Sequence, residues 1–311
     1  MARRRKGRSV NGILLLNKPL QISSNAALQK VKWLFFAAKA GHTGSLDPLA
    51  TGVLPVCLGE ATKFTRFLLD ADKCYRSTFR FGMATASGDA DGEVLGQVSA
   101  AGLTQEQVVS AMGCFRGEIE QVPPMYSALK YQGQPLYKLA REGIEIEREP
   151  RPVVIRRFEL LDFRPGESAE ADVEIHCSKG TYVRTLAQDL GAALGCGAYV
   201  SKLHRTAVGP FDESDAIALD GLEAVREAGT AESLDRFLKP MDAGISHLPA
   251  VYLLESVAWY FQQGQPVSVP GVYDLGEEGC IVRVFAESGA LLGVAEIMDD
   301  GRIAPKRLVV Y

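Results

Sequence analysis

The sequence predicts an α+β fold: a body of strands interleaved with helices over residues 11–247, then a small C-terminal β-barrel over 248–311. Three observations carry this. Lys73 to Phe81 and Ala171 to Cys177 alternate apolar and polar residues with the period of two that marks half-buried strands. Between such segments Leu28, Val31 and Phe35, and again Val183, Leu186, Leu190 and Leu194, keep helical spacing. From about Leu248 the character changes. Pro249, Pro266 and Pro270-Gly271 introduce short apolar runs separated by Ser288-Gly289 and Asp300-Gly301, the turn-rich pattern of a small barrel.

In order, residues 1–10 read as a disordered basic arm whose Arg3, Arg4, Arg5, Lys6 and Arg8 suit either solubility or loose phosphate attraction. Ile13 to Leu16 is a buried strand, ended by Asn17-Lys18-Pro19. Ser23, Ser24 and Asn25 offer N-caps to the first helix, which Gly41 closes. A second helix runs through Phe64, Phe67 and Leu68. In the strand from Lys73, residues Tyr75, Ser77, Phe79 and Phe81 share one face while Arg76, Thr78 and Arg80 share the other. Thr85 to Gly92 is a polar loop and Gln105 to Met112 a short helix. Pro123 and Pro124 keep Gln121 to Lys130 extended. From Ser127 to Pro152 the mixture of Gly133, Pro135, Gly143 and a helical patch, Leu136 to Arg141, marks an inserted, loosely anchored segment. Arg151 to Leu161 and Ala171 to Cys177 are strands, the second with Val173, Ile175 and Cys177 inward. Lys179-Gly180-Thr181 turns into the helix that starts at Val183, and Gly195 and Gly197 stop it. Tyr199 to Val208 is a strand, and residues 211–240 hold short helices.

The bulk numbers bound the function. A length of 311 residues allows one large domain or two, and 47% apolar with 23% charged residues is ordinary for a soluble globular protein. No run approaches membrane-spanning length, and Ile13 to Leu16 is too short for a signal-peptide core, so a cytoplasmic location is expected. The six cysteines form no Cys-x-x-Cys pair and none adjoins a second histidine. The expectation is therefore reduced, mostly buried thiols, with neither a zinc site nor a disulfide framework. Net charge is −4, and because the arm supplies five cations the remainder carries −9. That balance opposes whole-surface attraction to nucleic acid, so any polyanionic partner must be held by positive charge concentrated locally.

Three blocks carry the chemistry. The first is Gly41-His42-Thr43-Gly44-Ser45-Leu46-Asp47-Pro48-Leu49-Ala50-Thr51-Gly52-Val53-Leu54, a loop shaped by glycines and a proline, with Asp47 fixed from behind by Pro48. A carboxylate on a rigid turn between packed elements suits catalysis; the same residues also suit an Asx-turn. The second is Lys73-x-Tyr75 through Arg80-Phe81-Gly82, where Tyr75 reads as a site tyrosine or as a core residue beside Phe79 and Phe81. The third is Cys177-Ser178-Lys179-Gly180-Thr181-Tyr182-Val183-Arg184-Thr185. Arg184 falls in the first turn of a helix, where the macrodipole disfavours a cation, and off the apolar stripe. An anionic partner offsets that placement, with Asp47 the candidate; a solvated arginine is the alternative.

Together these blocks resemble the pseudouridine synthases, specifically the bacterial TruB family that modifies uridine 55 in the T-arm loop of transfer RNA. The resemblance extends to Asn17-Lys18-Pro19 and to Lys202-Leu203-His204-Arg205-Thr206-Ala207-Val208-Gly209-Pro210-Phe211. Residues 127–152 resemble a thumb that clamps RNA, and 248–311 resemble the RNA-binding PUA barrel, so nearly the whole chain is covered. The resemblance implies the pseudouridine synthase fold, with a mixed, mainly antiparallel sheet flanked by helices. It implies Asp47 as nucleophile, Tyr75 as active-site tyrosine and Arg184 as the ion-pair partner of Asp47. It places Lys18, Tyr182, Lys130 and Leu203 around the substrate, Leu203 and Arg205 belonging to the block that walls the uracil pocket. His42 would fill the place that a flipped uridine vacates in the RNA stack.

Pseudouridine formation breaks the N1–C1′ bond, turns the uracil and joins C5 to C1′. Nothing is added or lost, so neither cofactor nor metal is expected. One ionised carboxylate suffices as nucleophile, and Arg184 is expected to favour the charged form of Asp47 and lower its pKa. Tyr75 would stack on the uracil and exchange a proton at C5. The base must be flipped out of its stack, at a cost of roughly a few kcal/mol, into a dry pocket. The expected partner is the T-arm of transfer RNA, with no membrane and no obligate protein partner. Two other readings use the same residues: a transfer-RNA folding chaperone with secondary catalysis, and a guide-RNA-dependent relative. Short length, the Pro48-Leu49-Ala50 spelling and the lack of long basic tails weigh against the last.

Overall fold

The computed structural model describes residues 7–311. Its main sheet is built from strands whose apolar runs are buried on both sides or alternate in burial. The chain enters through β1 (Gly12–Lys18), then α1 (Ser24–Leu34), whose N-terminus is capped by the Ser23 side chain accepting from the Ala26 N–H. Next come β2 (Ala40–His42), β3 (Ala50–Leu58), a 3-10 turn leading into α2 (Thr65–Asp70), and β4 (Lys73–Phe81). A small ribbon, β5 (Met83–Thr85) and β6 (Val94–Gln97), precedes α3 (Gln105–Gly113) and β7 (Gly117–Gln121). The insert forms a hairpin, β8 (Lys130–Tyr131) and β9 (Gln134–Pro135), and α4 (Leu136–Arg141). Then follow β10 (Arg151–Arg164), β11 (Glu170–Cys177), α5 (Val183–Ala193) and β12 (Ala198–Val208).

The central order is β1-β3-β12-β4-β11-β10-β7, with β2 beside β3. Only β3 and β12 run parallel within it; the other pairs are antiparallel. The expected mixed, mainly antiparallel sheet flanked by helices is therefore observed. Its core joins Leu14, Leu16, Val56, Phe79 and Val200 on the strands to Val31 and Leu190 on the helices. Beyond it, β13 (Phe211–Asp212), β14 (Ile217–Ala218), α6 (Leu219–Ala228) and β15 (Leu238–Lys239) extend the sheet at its β12 and β1 strands.

The C-terminal unit is β16 (Ala250–Leu253), α7 (Glu255–Gln262), β17 (Val267–Ser268), β18 (Ile281–Ala286), β19 (Leu291–Ile297) and β20 (Arg302–Leu308), in the order β16-β18-β19-β20-β17. It has its own core around Phe261, Val282 and Ile303. It meets the main body through Phe64, Ile245, Leu291, Val294 and Val309.

Several expectations change. The C-terminal unit is not all-β, because Ala258 and Phe261 bury one face of α7. Gly41 does not close the first helix. That helix stops at Leu34, Phe36 adopts a left-handed φ of 48°, and Gly41 lies in β2 opposite Cys57. The insert is held more firmly than expected, with Ser127, Leu136 and Leu139 buried. Of the basic arm, residues 1–6 lie outside the described residues. Arg8 is not free: its guanidinium pairs with Asp235 and donates to the Phe35 carbonyl at 2.8 Å and the Ala231 carbonyl at 3.0 Å.

Candidate active site

The first block spans the end of β2, a turn and the start of β3. Two features fix it. At Gly52 φ is 104°, and a Cβ there would lie 2.2 Å from the Arg205 carbonyl oxygen on the parallel strand β12, so only glycine fits. Arg205 itself is fully buried; its Nε donates to the Val53 carbonyl at 2.8 Å and an Nη to the Gly44 carbonyl at 3.2 Å. The turn closes with the Ala50 N–H donating to the Asp47 carbonyl at 3.0 Å.

The Asp47 side chain does not make an Asx-turn. Its Oδ2 accepts from Arg184 Nε at 2.9 Å. Arg184, only 5% exposed, stands in the first turn of α5. Its other donors reach Asp89 Oδ2 at 3.4 Å, the Ser87 carbonyl at 2.9 Å and the Tyr126 carbonyl at 2.7 Å. The unfavourable dipole position is thus offset by two carboxylates and two carbonyls, and the guanidinium ties together four segments distant in sequence.

Around this pair lies a cavity of about 320 Å³, lined among others by Asp47, Tyr75, Tyr182, Arg184 and Leu203. That size is at the small end of the range for small-ligand sites. Asp47 keeps 38% of its side-chain surface open toward it, so a ligand can reach the carboxylate while its partner stays enclosed. Six of the nine residues singled out from sequence, Arg205 included, therefore meet at one place. Lys18 lies behind the loop, wholly buried, its ammonium donating to the Pro19 and Ile22 carbonyls at 2.8 Å each. Burial brings its pKa down to about 8, with Asp47 opposing that shift and Arg205 adding to it. His42 ends β2, half-buried, with a buried Nδ1 that has no hydrogen-bond partner among the described residues. Burial, and then Arg205, push its pKa down, so the ring is neutral at neutral pH. Lys130 is elsewhere: it is exposed in β8 and lines a separate cleft with Leu129 and Arg148.

The electrostatics correct one expectation. Burial raises the Asp47 carboxyl above its ordinary value despite the opposing pull of Arg184; Asp89 adds to the rise and Lys18 opposes it. Burial likewise raises the Tyr75 phenol, against the pull of Arg205, so Tyr75 is protonated at neutral pH and suited to stacking rather than to acting as a phenolate base.

Sequence reasoning missed three residues. Asp89 was assigned to a polar loop, yet it is 5% exposed and pairs with Arg184. The clue was present in the run Ser87-x-Asp89-x-Asp91, whose Ser87 hydroxyl and Asp91 N–H both bond the other Asp89 oxygen. Lys73 lines the cavity while its ammonium caps the end of α2, donating to the Leu69 carbonyl at 2.7 Å and the Ala71 carbonyl at 2.5 Å. Ser127 also lines the cavity, buried, its hydroxyl without a partner among the described residues.

Comparison with known proteins adds the family. Residues 32–183 match the model of the TruB family pseudouridylate synthase N-terminal domain, 184–246 that of the tRNA pseudouridylate synthase B C-terminal domain, and 249–309 that of the pseudouridine synthase II TruB C-terminal region. A tRNA pseudouridine synthase B of Saccharophagus degradans is 58% identical over 99% of this chain and 98% of its own length. One of Stutzerimonas stutzeri is 54% identical over 98% of each chain. Among solved structures, a chain of a Cbf5-Nop10-Gar1 complex superposes with a TM-score of 0.69 at 28% identity, covering 92% of this chain and 78% of that one. With the Asp47–Arg184 pair at the mouth of the cavity and matches of this extent along its whole length, the chain belongs to the TruB family of pseudouridylate synthases.

Proposed function

We propose that this protein isomerises uridine 55 in the T-arm loop of transfer RNA to pseudouridine, with Asp47 as the nucleophile. The observation that carries the reading is the accessible Asp47 carboxylate held by a buried Arg184 at the wall of a nucleoside-sized cavity. The relatives named tRNA pseudouridine synthase B, more than half identical over nearly their whole length, support the same substrate.

In this reading the target uridine leaves its stack and enters the cavity, and neutral His42 takes its place among the loop bases. Tyr75 and Leu203 sandwich the uracil. Asp47 attacks the nucleotide, the N1–C1′ bond breaks, the base turns, C5 joins C1′, and the bond to the Asp47 oxygen breaks to return the free carboxylate. The proton on C5 is then lost and one is gained at N1, so the reaction is balanced without a co-substrate. Arg184 keeps the carboxylate aimed throughout. Tyr182 and Ser127 offer hydroxyls along the same wall. Lys130, on the insert's hairpin, would meet the RNA backbone outside the cavity.

The five-stranded C-terminal sheet, closed on one side by α7, supports a PUA-like RNA-binding role for residues 248–311. Among the described residues no helix is long and apolar enough to cross a membrane; the proposed site of action is the cytoplasm, on transfer RNA, without a protein partner. The test is position-resolved mapping of pseudouridine in a complete uridine-containing transfer RNA transcript after incubation with the purified chain alone. The reading requires a single modified position, in the T-arm loop. Modification that appears only when a second RNA is added would instead support a guide-dependent enzyme.

A further inference from the structure

The charge of this chain is divided unevenly. Residues 1–46 contain nine of its 34 lysines and arginines and none of its 38 aspartates and glutamates, leaving twenty-five cations against thirty-eight carboxylates beyond Leu46. Three of the described cations in that stretch are engaged: Arg8 with Asp235, Lys30 with Glu223, and buried Lys18 on carbonyls. Lys32 and Lys39 have no carboxylate within ion-pair distance among the described residues. Between them stand two of the most exposed aromatic side chains of the main body, Trp33 at 72% and Phe36 at 50%. Phe36 is held in the left-handed region at φ 48°, a strained conformation for a bulky residue. The strand entering beside it secures that geometry, the Arg8 N–H donating to the Phe36 carbonyl at 2.7 Å and the Ala38 N–H to the Arg8 carbonyl at 3.0 Å.

We propose that Lys32, Trp33, Phe36 and Lys39 form a second RNA contact, which takes phosphates and one unstacked base of the transfer RNA outside the T-arm stem-loop. The proposal rests on the transfer-RNA reading above. Cations interleaved with exposed aromatics are the chemistry that binds a phosphate backbone and stacks a base. The placement excludes the nucleotide at Asp47 itself. The Lys39 carbonyl accepts from the Gly59 N–H, and Ala40 pairs with Leu58 at the far end of β3 from Ala50, where the Asp47 loop ends. Eight strand steps separate the two ends, roughly 26 Å. An acidic protein that must hold a polyanion has here its longest acid-free stretch, and it lies at a distance that a folded transfer RNA spans and a flipped nucleotide does not.

The test uses the full chain carrying Trp259→Phe, which leaves Trp33 as the sole tryptophan of the two. It is titrated with complete transfer RNA, with a T-arm minihelix, and with vesicles of equal parts phosphatidylglycerol and phosphatidylcholine. Complete transfer RNA is expected to quench Trp33 and the minihelix to leave it unchanged, although both are modified. Lys32→Gln with Lys39→Gln should weaken binding of the complete RNA about 5- to 10-fold at low salt. It should also reduce the magnitude of the log–log salt slope by about 1.4–1.8, with turnover of the minihelix unaltered. Equal quenching by both RNAs, quenching by neither, or an unchanged salt slope in the double variant overturns the proposal. So does quenching by the vesicles without quenching by RNA, which would mark a membrane contact. If the wild-type chain modifies neither RNA, the functional reading fails first and this contact fails with it.

Discussion

Arg184 reaches three other chain segments with one guanidinium, and its substitution separates structure from chemistry. Arg184→Met leaves Asp89, 8% exposed at its side chain, without its cation. Breaking a buried pair in this way costs about 3–5 kcal/mol, so denaturant unfolding should show a loss of unfolding free energy of that order along with lost activity. Asp89 acts on Asp47 as a like charge that raises its carboxyl. Asp89→Asn removes that push, so the acid limb of the kcat/KM profile should move to lower pH while kcat falls roughly 10- to 100-fold as Arg184 loses an anchor. An unmoved limb would show that the two carboxylates do not interact. At this scale the sequence was informative where physics penalised a residue. A cation in the first turn of α5 demanded an anion, and Asp47 supplies one. Asp89 left no such mark, because an aspartate in a polar turn is satisfied locally and its burial depends on β12 lying beside it. The direction of the Asp47 shift was likewise hidden, since it depends on how tightly the cavity walls close.

At the scale of elements, the parallel contact of β3 with β12 sets the site. It brings the Asp47 loop to Arg205 and Leu203, and Gly52 permits the approach. Gly52→Ala places a methyl group 2.2 Å from the Arg205 carbonyl oxygen in a backbone conformation that alanine resists. The expected loss is about 1–3 kcal/mol from overpacking, larger with the backbone strain. Circular dichroism melts should show it, and kcat should fall because the strand must shift under Asp47. A variant with unchanged melting and activity would contradict this placement. Strands and helices with clear periodicity, such as β4, β11 and α5, were legible from local sequence, since burial on one face imposes the pattern directly. The end of α1 was not. Gly41 looked like a helix stop, but the helix ends first, at a left-handed turn through Phe36 that the neighbouring Arg8 segment helps to hold.

At the scale of the whole molecule, the C-terminal unit is fastened by an apolar cluster. Lys63 donates to the Leu308 carbonyl at 2.7 Å, and the Val310 N–H donates to Glu60 at 2.9 Å. Deleting residues 248–311 uncovers Phe64 and Ile245, so the remaining body should melt at lower temperature and self-associate in sedimentation. A truncated chain as stable and monomeric as the full one would show that the two parts are independent. The division of the chain near residue 248 was visible in its prolines and turns, whereas α7 was masked by those same signals. Net charge was the least informative quantity, because an average of −4 conceals a wholly basic first stretch. Asp47 is the one acidic residue lining the cavity among the described residues. Because burial raises its pKa, its charge costs stability as pH rises through the interval between the ordinary and the raised value. Asp47→Asn should therefore be at least as stable as the wild type at neutral pH. The most direct measurement is single-turnover mapping of pseudouridine in a T-arm minihelix by wild-type and Asp47→Asn protein, with no added metal or nucleotide. The wild type should convert one uridine completely, and the folded variant should be slower by on the order of 10⁴-fold or more; conversion by Asp47→Asn within tenfold of wild type would show that this carboxylate is not the nucleophile.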